Sequence, residues 1–164
     1  MRPEESELIA LAAQTGALLE SSGRMLVTAE SCTGGWVGKV LTDTPGSSAW
    51  YVGGLITYNN AMKQVLLGVL ADTLNTHGAV SEPVVREMAH GAMECSEANI
   101  ALAISGVAGP GGGTAEKPVG LVCIGWLLDD GTALQTTCRF PGDREEVRAR
   151  AVAAALRGLI ELLS

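Results

Sequence analysis

Met25-Leu26-Val27-Thr28-Ala29-Glu30-Ser31-Cys32-Thr33-Gly34-Gly35-Trp36-Val37-Gly38-Lys39-Val40-Leu41-Thr42-Asp43 decides how the chain is read. Met25 to Ala29 is a short apolar run with a β-branched centre, the pattern of a buried strand. Glu30 to Gly35 is a tight polar turn. Trp36 to Leu41 has the character of a helix. In an α/β fold such a junction lies where a sheet ends and a helix N-terminus opens. Free backbone N–H groups and the positive end of the helix dipole face that space. A hydroxyl or thiol placed there can attack, and a developing oxyanion is stabilised.

The flanking segments extend the α/β pattern in both directions. Pro3 to Leu19 reads as a helix, with Leu8, Leu11, Ala12, Thr15, Leu18 and Leu19 on one face and Gly23 as its stop. The helix after the Ser31 turn ends near Thr42 or Asp43, before the turn cluster Pro45-Gly46-Ser47-Ser48. Trp50 to Tyr58 reads as a second strand, interrupted at Gly53-Gly54 by a bulge or a close backbone approach. Asn59-Asn60 leads into a short helix through Lys63 and Leu67, and Gly68 to Gly78 is weakly patterned. Ser81-Glu82-Pro83 opens the next helix.

Ile100 to Ser105 is an apolar run without solvent alternation, which predicts a central strand. The loop Gly106 to Thr114 follows and cannot be helical at its glycine density. Val119 to Leu127 and Ala133 to Phe140 form a pair of strands around Asp129-Asp130-Gly131. Asp143 and Glu146 form a capping box for a last helix, whose buried face runs from Val147 to Leu163. Five strands with helices on both faces predict an α/β class, a three-layer α/β/α sandwich. The hairpin makes the sheet mixed. Residues 1–164 are expected to form one domain.

Composition removes several function classes. The formal charge is -7, with 18 acidic and 11 basic residues, so no basic stripe exists to neutralise a nucleic acid. A small phosphorylated ligand remains open, because it needs only one local pocket. The four cysteines form no CxxC pair, and the two histidines, His77 and His90, complete no ligand set. No metal and no cofactor are therefore expected. Acidic residues near the N-terminus do not suit a signal peptide, and the longest apolar run is too short to span a membrane. Cytoplasmic residence with reduced thiols is expected.

Ser31 is the leading nucleophile on position, and a serine hydroxyl needs a base. Neither histidine follows a strand end. Lys63 follows the second strand closely and could serve if burial or a cationic neighbour lowers its pKa. Tyr58 lies between them in sequence and could relay or orient the proton. The plainer alternative is a helix cap at Ser31 and a solvated Lys63. Cys32 competes as a thiolate at a helix N-terminus, or else faces the core. Thr33, Gly34 and Gly35 can supply backbone donors, as can the loop with Gly106, Gly109, Gly111 and Gly112, with Ser105 at its start. That loop is neither a Walker loop nor a Gly-x-Gly-x-x-Gly opener, and it could equally be a rim loop. Arg144 and Arg148 stand one turn apart and could bind phosphate, or pair with Glu145 and solvent.

Four separated motifs resemble one family in the right order. They are Ala29-Glu30-Ser31-Cys32-Thr33-Gly34-Gly35, Gly53-Gly54-Leu55-Ile56-Thr57-Tyr58-Asn59-Asn60-Ala61-Met62-Lys63, Ala79-Val80-Ser81-Glu82 and Ile104-Ser105-Gly106-Val107-Ala108-Gly109-Pro110-Gly111-Gly112. The chain is similar to the CinA C-terminal domain family, the PncC-type nicotinamide-nucleotide amidohydrolases, over about Glu5 to Leu162. The resemblance implies hydrolysis of the carboxamide of nicotinamide mononucleotide to nicotinate mononucleotide and ammonia. It implies Ser31 as nucleophile, Lys63 as general base and Tyr58 as an assisting hydroxyl, with no metal. It also implies an α/β/α sandwich with a mixed five-stranded sheet. The family usually has threonine at Ser105, and serine keeps the hydroxyl. Some members carry a larger N-terminal domain, whose activity is not expected here.

The expected partners are a small phosphorylated pyridine nucleotide and a second copy of the chain, as a dimer. Nucleic acid and membrane are not expected. The competing reading is a non-catalytic nucleotide-binding or interaction domain, because glycine loops and a helix N-terminus suffice for binding. The two differ in one geometric consequence: only the enzyme needs Lys63 directed at Ser31.

Overall fold

A computed structural model describes residues 1–164. The elements are α1 (Glu5–Ser22), β1 (Leu26–Glu30), α2 (Trp36–Thr42), β2 (Tyr51–Ile56), α3 (Asn60–Leu67), α4 (Ala71–His77), α5 (Glu82–Glu94), β3 (Ile100–Gly106), β4 (Leu121–Leu128), β5 (Ala133–Arg139) and α6 (Arg144–Leu163). A short 3₁₀ turn at Ser47–Ala49 precedes β2. The five strands lie in the order β2-β1-β3-β4-β5. β2, β1 and β3 are parallel, and β4 and β5 join antiparallel. The sheet is mixed and β3 is central, as its unbroken apolar run predicts.

The period of two along β3 builds two different layers. Ile100, Leu102 and Ile104 face one way and pack with α1, α2 and α6. Ala101 and Ala103 face the other way, with Val27, Ala29 and Cys123, and pack with α5. The small side chains bring α5 close. A Cβ at Gly125 of β4 would stand 3.2 Å from Val85. Helices on both faces complete the α/β/α sandwich.

Local chemistry sets the element ends. Gly23 adopts the left-handed conformation (φ 64°) and stops α1 three residues later than the apolar face alone suggests. Ser81 caps α5, and Asp143 with Glu146 forms the capping box of α6. The Gly53-Gly54 interruption is both a bulge and a close approach. Leu26 pairs with Tyr51 but Val27 pairs with Gly53, so Val52 is the extra residue. A Cβ at Gly54 would lie 2.6 Å from Thr28 Oγ1.

The segment Gly68 to Gly78 holds a helix, α4, that its weak pattern does not reveal. Only Leu74 of α4 is buried, so there is no apolar stripe for periodicity to detect.

Gly91 marks the tightest crossing, between α5 and the end of α3, where an added Cβ would overlap the Leu67 carbonyl. Backbone cannot yield there as a side chain could. Gly91→Ala is expected to lower unfolding free energy by about 3 kcal/mol, the upper range for overpacking. Gly111→Ala, which meets nothing within 4 Å, should shift it by less than about 0.5 kcal/mol. Urea unfolding of both variants checks the contrast.

Candidate active site

β1 and β2 end level, and β3 runs two residues beyond them. Glu30 pairs with Ile56 of β2 on one side and with Ile104 of β3 on the other. The ladder continues one residue beyond β1. Ser31 N–H donates to Ile104 O at 2.9 Å, and Thr57 N–H donates to Glu30 O at 2.9 Å. Ser31 is thereby held at the carboxyl end of the sheet, and the chain leaving β2 runs beside it.

Asn59 caps α3 by accepting from Met62 N–H at 2.8 Å. That cap starts the helix so that Lys63, its fourth residue, turns back under the sheet end. Lys63 Nζ lies 3.0 Å from Ser31 Oγ, 2.8 Å from Thr57 O and 3.2 Å from Tyr58 O. Ser31 Oγ is also 3.4 Å from Tyr58 O. Lys63 is only 1% exposed, and none of the chain's four ion pairs includes it. Burial lowers its pKa from the ordinary value of 10.5, outweighing the Cys32 thiol, which pulls the other way. Neither plain alternative fits this arrangement: the N-cap of α2 is Gly35, not Ser31, and Lys63 is not solvated.

Ser31 and Lys63 open on a cavity of about 220 Å³, whose lining also includes Tyr58, Asn60, Ser105, Gly106 and Arg144. Tyr58 reaches the pair through its carbonyl. Tyr58 itself is 60% exposed, and its phenol accepts from Arg144 Nη2 at 3.0 Å. Arg144 Nη1 donates to Gly109 O at 2.7 Å. Ser105 Oγ donates to Ala79 O at 2.8 Å, and Lys117 Nζ donates to Val80 O at 2.7 Å. The first bond joins two residues of the cavity lining, and the second holds the wall at Val80.

Other residues singled out from the sequence lie elsewhere. Thr33, Gly34, Gly35, Gly111, Gly112 and Arg148 are not part of the cavity lining. Gly111 and Gly112 are exposed on the loop. Arg148 does not pair with Glu145; its Nε and Nη2 donate to Cys32 O and Thr33 O, each at 3.1 Å.

The sequence also suggests an open helix N-terminus after the turn, and the structure closes it. Glu30, 2% exposed, accepts from Val37 N–H at 3.0 Å and Gly38 N–H at 3.1 Å. The first amides of α2 are thus occupied by the protein's own carboxylate. Glu30 was missed as a site residue. The available signal was a carboxylate at the end of an otherwise apolar buried strand, which needs donors near by.

Cys32 packs into the core layer of α2 and α6. Burial pushes its thiol up to about 12, despite its own backbone N–H and Arg148 pulling the other way. Such a thiol carries almost no thiolate at neutral pH. Alkylation with iodoacetamide at pH 8 should modify the exposed Cys95 and leave Cys32 unmodified until the protein is unfolded. Peptide mass mapping checks this, and rapid labelling of native Cys32 would contradict it.

Residues 8–163 match the model of the CinA C-terminal domain. The chain is 50% identical over 155 residues to the nicotinamide-nucleotide amidohydrolase PncC of Escherichia coli K12, covering 94% of each protein. It is also 50% identical over 151 residues to a CinA-like protein of Mycolicibacterium gilvum, covering 92% of this chain but 35% of that protein. Among solved structures, the competence/damage inducible protein CihA of Agrobacterium tumefaciens superimposes with a TM-score of 0.94 at 43% identity. That match covers 100% of this chain and 99% of the other. A CinA superfamily protein of Klebsiella pneumoniae superimposes with a TM-score of 0.92 at 40% identity, over 95% and 97% of the two chains. The chain belongs to the CinA C-terminal domain family.

Proposed function

We propose that this chain hydrolyses the carboxamide of nicotinamide mononucleotide to nicotinate mononucleotide and ammonia, with Ser31 as nucleophile and Lys63 as general base. The observation that carries the reading is the buried 3.0 Å contact between Lys63 Nζ and Ser31 Oγ. The relatives of similar length named as nicotinamide-nucleotide amidohydrolases supply the substrate class.

The surroundings of Lys63 suit a neutral amine. Such an amine has two N–H bonds and one lone pair. Thr57 O and Tyr58 O accept the two N–H bonds, which leaves the lone pair to face the Ser31 hydroxyl. Ser31 Oγ then attacks the carboxamide carbon while its proton passes to Lys63. The tetrahedral oxyanion collapses, Lys63 returns the proton to the departing nitrogen, and ammonia leaves. A water gives its proton to Lys63 and attacks the acyl-serine. The carboxylate departs as Ser31 regains its proton.

Arg144 and Tyr58 stand at the cavity mouth as a cation and a hydroxyl for the ribose phosphate. Ser105 and Gly106 are also part of the lining. The same proposal places the protein in the cytoplasm, where four free thiols stay reduced. Its partner is a second copy. Val52 and Ile56 are exposed on the edge strand β2, and Val65 and Leu70 are exposed farther along the same stretch, which holds no exposed charge.

A lysine with a lowered pKa is neutral at lower pH than a free one. Turnover should therefore rise with pH along an acid limb that lies below 10.5. Ser31→Ala, Lys63→Ala and Lys63→Arg should each lose about 10⁴-fold or more in ammonia release. The Ser31→Ala/Lys63→Ala double variant should lose little more, because the pair acts as a unit. Arginine fails because a guanidinium cannot accept the proton. Single-turnover ammonia release, with nucleotide affinity measured separately, makes the test. Near-normal turnover in Lys63→Arg would remove lysine as the base.

A further inference from the structure

β3 runs past the point where β1 stops pairing, and one backbone donor is left without a partner there. In a strand between two neighbours, the polar groups of successive residues point to alternate sides. Ile104 O accepts from Ser31 N–H at 2.9 Å, on the β1 side. Val107 N–H donates to Leu121 O and Val107 O accepts from Gly120 N–H, each at 2.8 Å, on the β4 side. Gly106 N–H therefore points to the β1 side. A continued ladder would give it Ser31 O. That carbonyl instead accepts from Gly34 N–H at 3.1 Å, because the chain turns at Ser31. No acceptor in the protein takes the Gly106 N–H. Gly106 is half-buried, and unpaired amides inside a fold are uncommon.

The amide stands beside the nucleophile. Gly106 lines the same cavity as Ser31 and Lys63. Neighbouring strands lie about 4.8 Å apart, so the donor is one strand spacing from Ser31. The turn after Ser31 comes equally close: a Cβ on Gly106 would lie 3.0 Å from Cys32 Sγ. One carbonyl group fills that spacing, with its carbon toward Ser31 Oγ and its oxygen about 2.9 Å from the amide nitrogen. We infer that the Gly106 N–H holds the substrate's carboxamide oxygen and stabilises the oxyanion formed when Ser31 attacks.

This rests on the amidohydrolase reading and names the group that receives the charge. As Ser31 Oγ bonds to the carboxamide carbon, the hydroxyl proton passes to Lys63 and the π pair of the C=O bond moves to oxygen. The hydrogen bond from Gly106 strengthens as that charge develops, which is what favours the transition state over the bound substrate. Two neighbouring donors are already engaged. Ser31 N–H is on Ile104 O, and the Ser105 hydroxyl gives its one proton to Ala79 O at 2.8 Å.

The experiment replaces Gly106 by glycolic acid, introduced by in vitro translation with a charged suppressor tRNA. The Ser105–Gly106 amide becomes an ester, and the N–H is removed without adding a side chain. The ester variant should stay folded in a thermal melt, because this N–H holds nothing in the protein. Its kcat for ammonia release from nicotinamide mononucleotide should fall by about 10²- to 10³-fold, the range for one oxyanion donor, while KM holds. Sulfur accepts hydrogen bonds poorly, so wild type should favour the carboxamide over the thiocarboxamide analogue, and the ester variant should lose much of that preference. In parallel, a fluorophosphonate probe labels Ser31 and mass spectrometry follows the rate. Its phosphoryl oxygen calls on the same donor without needing a nucleotide, so labelling should slow in step with kcat.

Unchanged kcat and labelling in the ester variant would overturn the inference. Unfolding of that variant would overturn it as well, since an amide whose loss unfolds the chain is bonded within the protein. A raised KM with unchanged kcat would reduce the amide to a substrate contact without a part in the chemical step, and would also overturn it. A wild type that labels faster than the ester variant but releases no ammonia would sink the substrate reading and keep the donor. A wild type that does neither would sink both.

Discussion

Glu30 pairs with Ile56 on one side and Ile104 on the other, and this one register fixes what the molecule can do. Three parallel strands aligned in this way leave three connections at one edge of the sheet. The first carries Ser31, the second leads to Lys63, and the third follows Ser105 and Gly106 at the end of β3. A shift of one residue would turn every alternating side chain of β1 to the opposite layer. Val27 and Ala29 would then face the α1–α6 core, and Leu26 would face the α5 layer. The packing of both layers therefore enforces the register that aligns the site.

The same register makes a buried lysine tolerable. Taking an ammonium out of water without a counter-ion is costly, and the group answers by favouring its neutral form. At Lys63 the carbonyls of Thr57 and Tyr58 meet the amine where the backbone has left β2 and is free of the ladder. Had β2 continued to Tyr58, as its apolar and β-prone side chains suggest, those carbonyls would have pointed along the sheet. Ending the strand at Ile56 releases them for Lys63. A polar residue thus stays inside an apolar layer without an opposing charge, a condition suited to a base.

Much of this was legible in the sequence, and the parts that were not share a cause. The strand runs, the Gly23 stop, the Asn59 and Ser81 starts and the Asp143–Glu146 box are local chemistry, visible within a few residues. Ser31 and Lys63 were legible because each follows a strand and the two strands proved to be neighbours. α4 was missed because a helix with one buried side chain carries no periodic stripe. Arg148 was seen as a charge near a helix start, but not as a partner of carbonyls more than a hundred residues away. Composition shows that a guanidinium is present; only the fold says what it faces. Glu30 was masked in the same way, since a carboxylate at a strand end reads as a turn residue until its amide donors are placed.

The site is therefore assembled by the last helix. The capping box fixes where α6 starts, and its first two turns then reach three separate connections. Arg144 holds Gly109 O on the loop after β3 and the Tyr58 phenol after β2, while Arg148 holds the turn after β1. Each connection is glycine-rich or extended. The sequence separations run from 35 to 116 residues, so these bonds can form only after distant parts of the chain have met. The sheet brings Ser31 and Lys63 together, and α6 holds the loops around them. Glycine gives the Ser31 turn the freedom to adopt an uncommon backbone, and arginine from α6 removes that freedom once the turn is made.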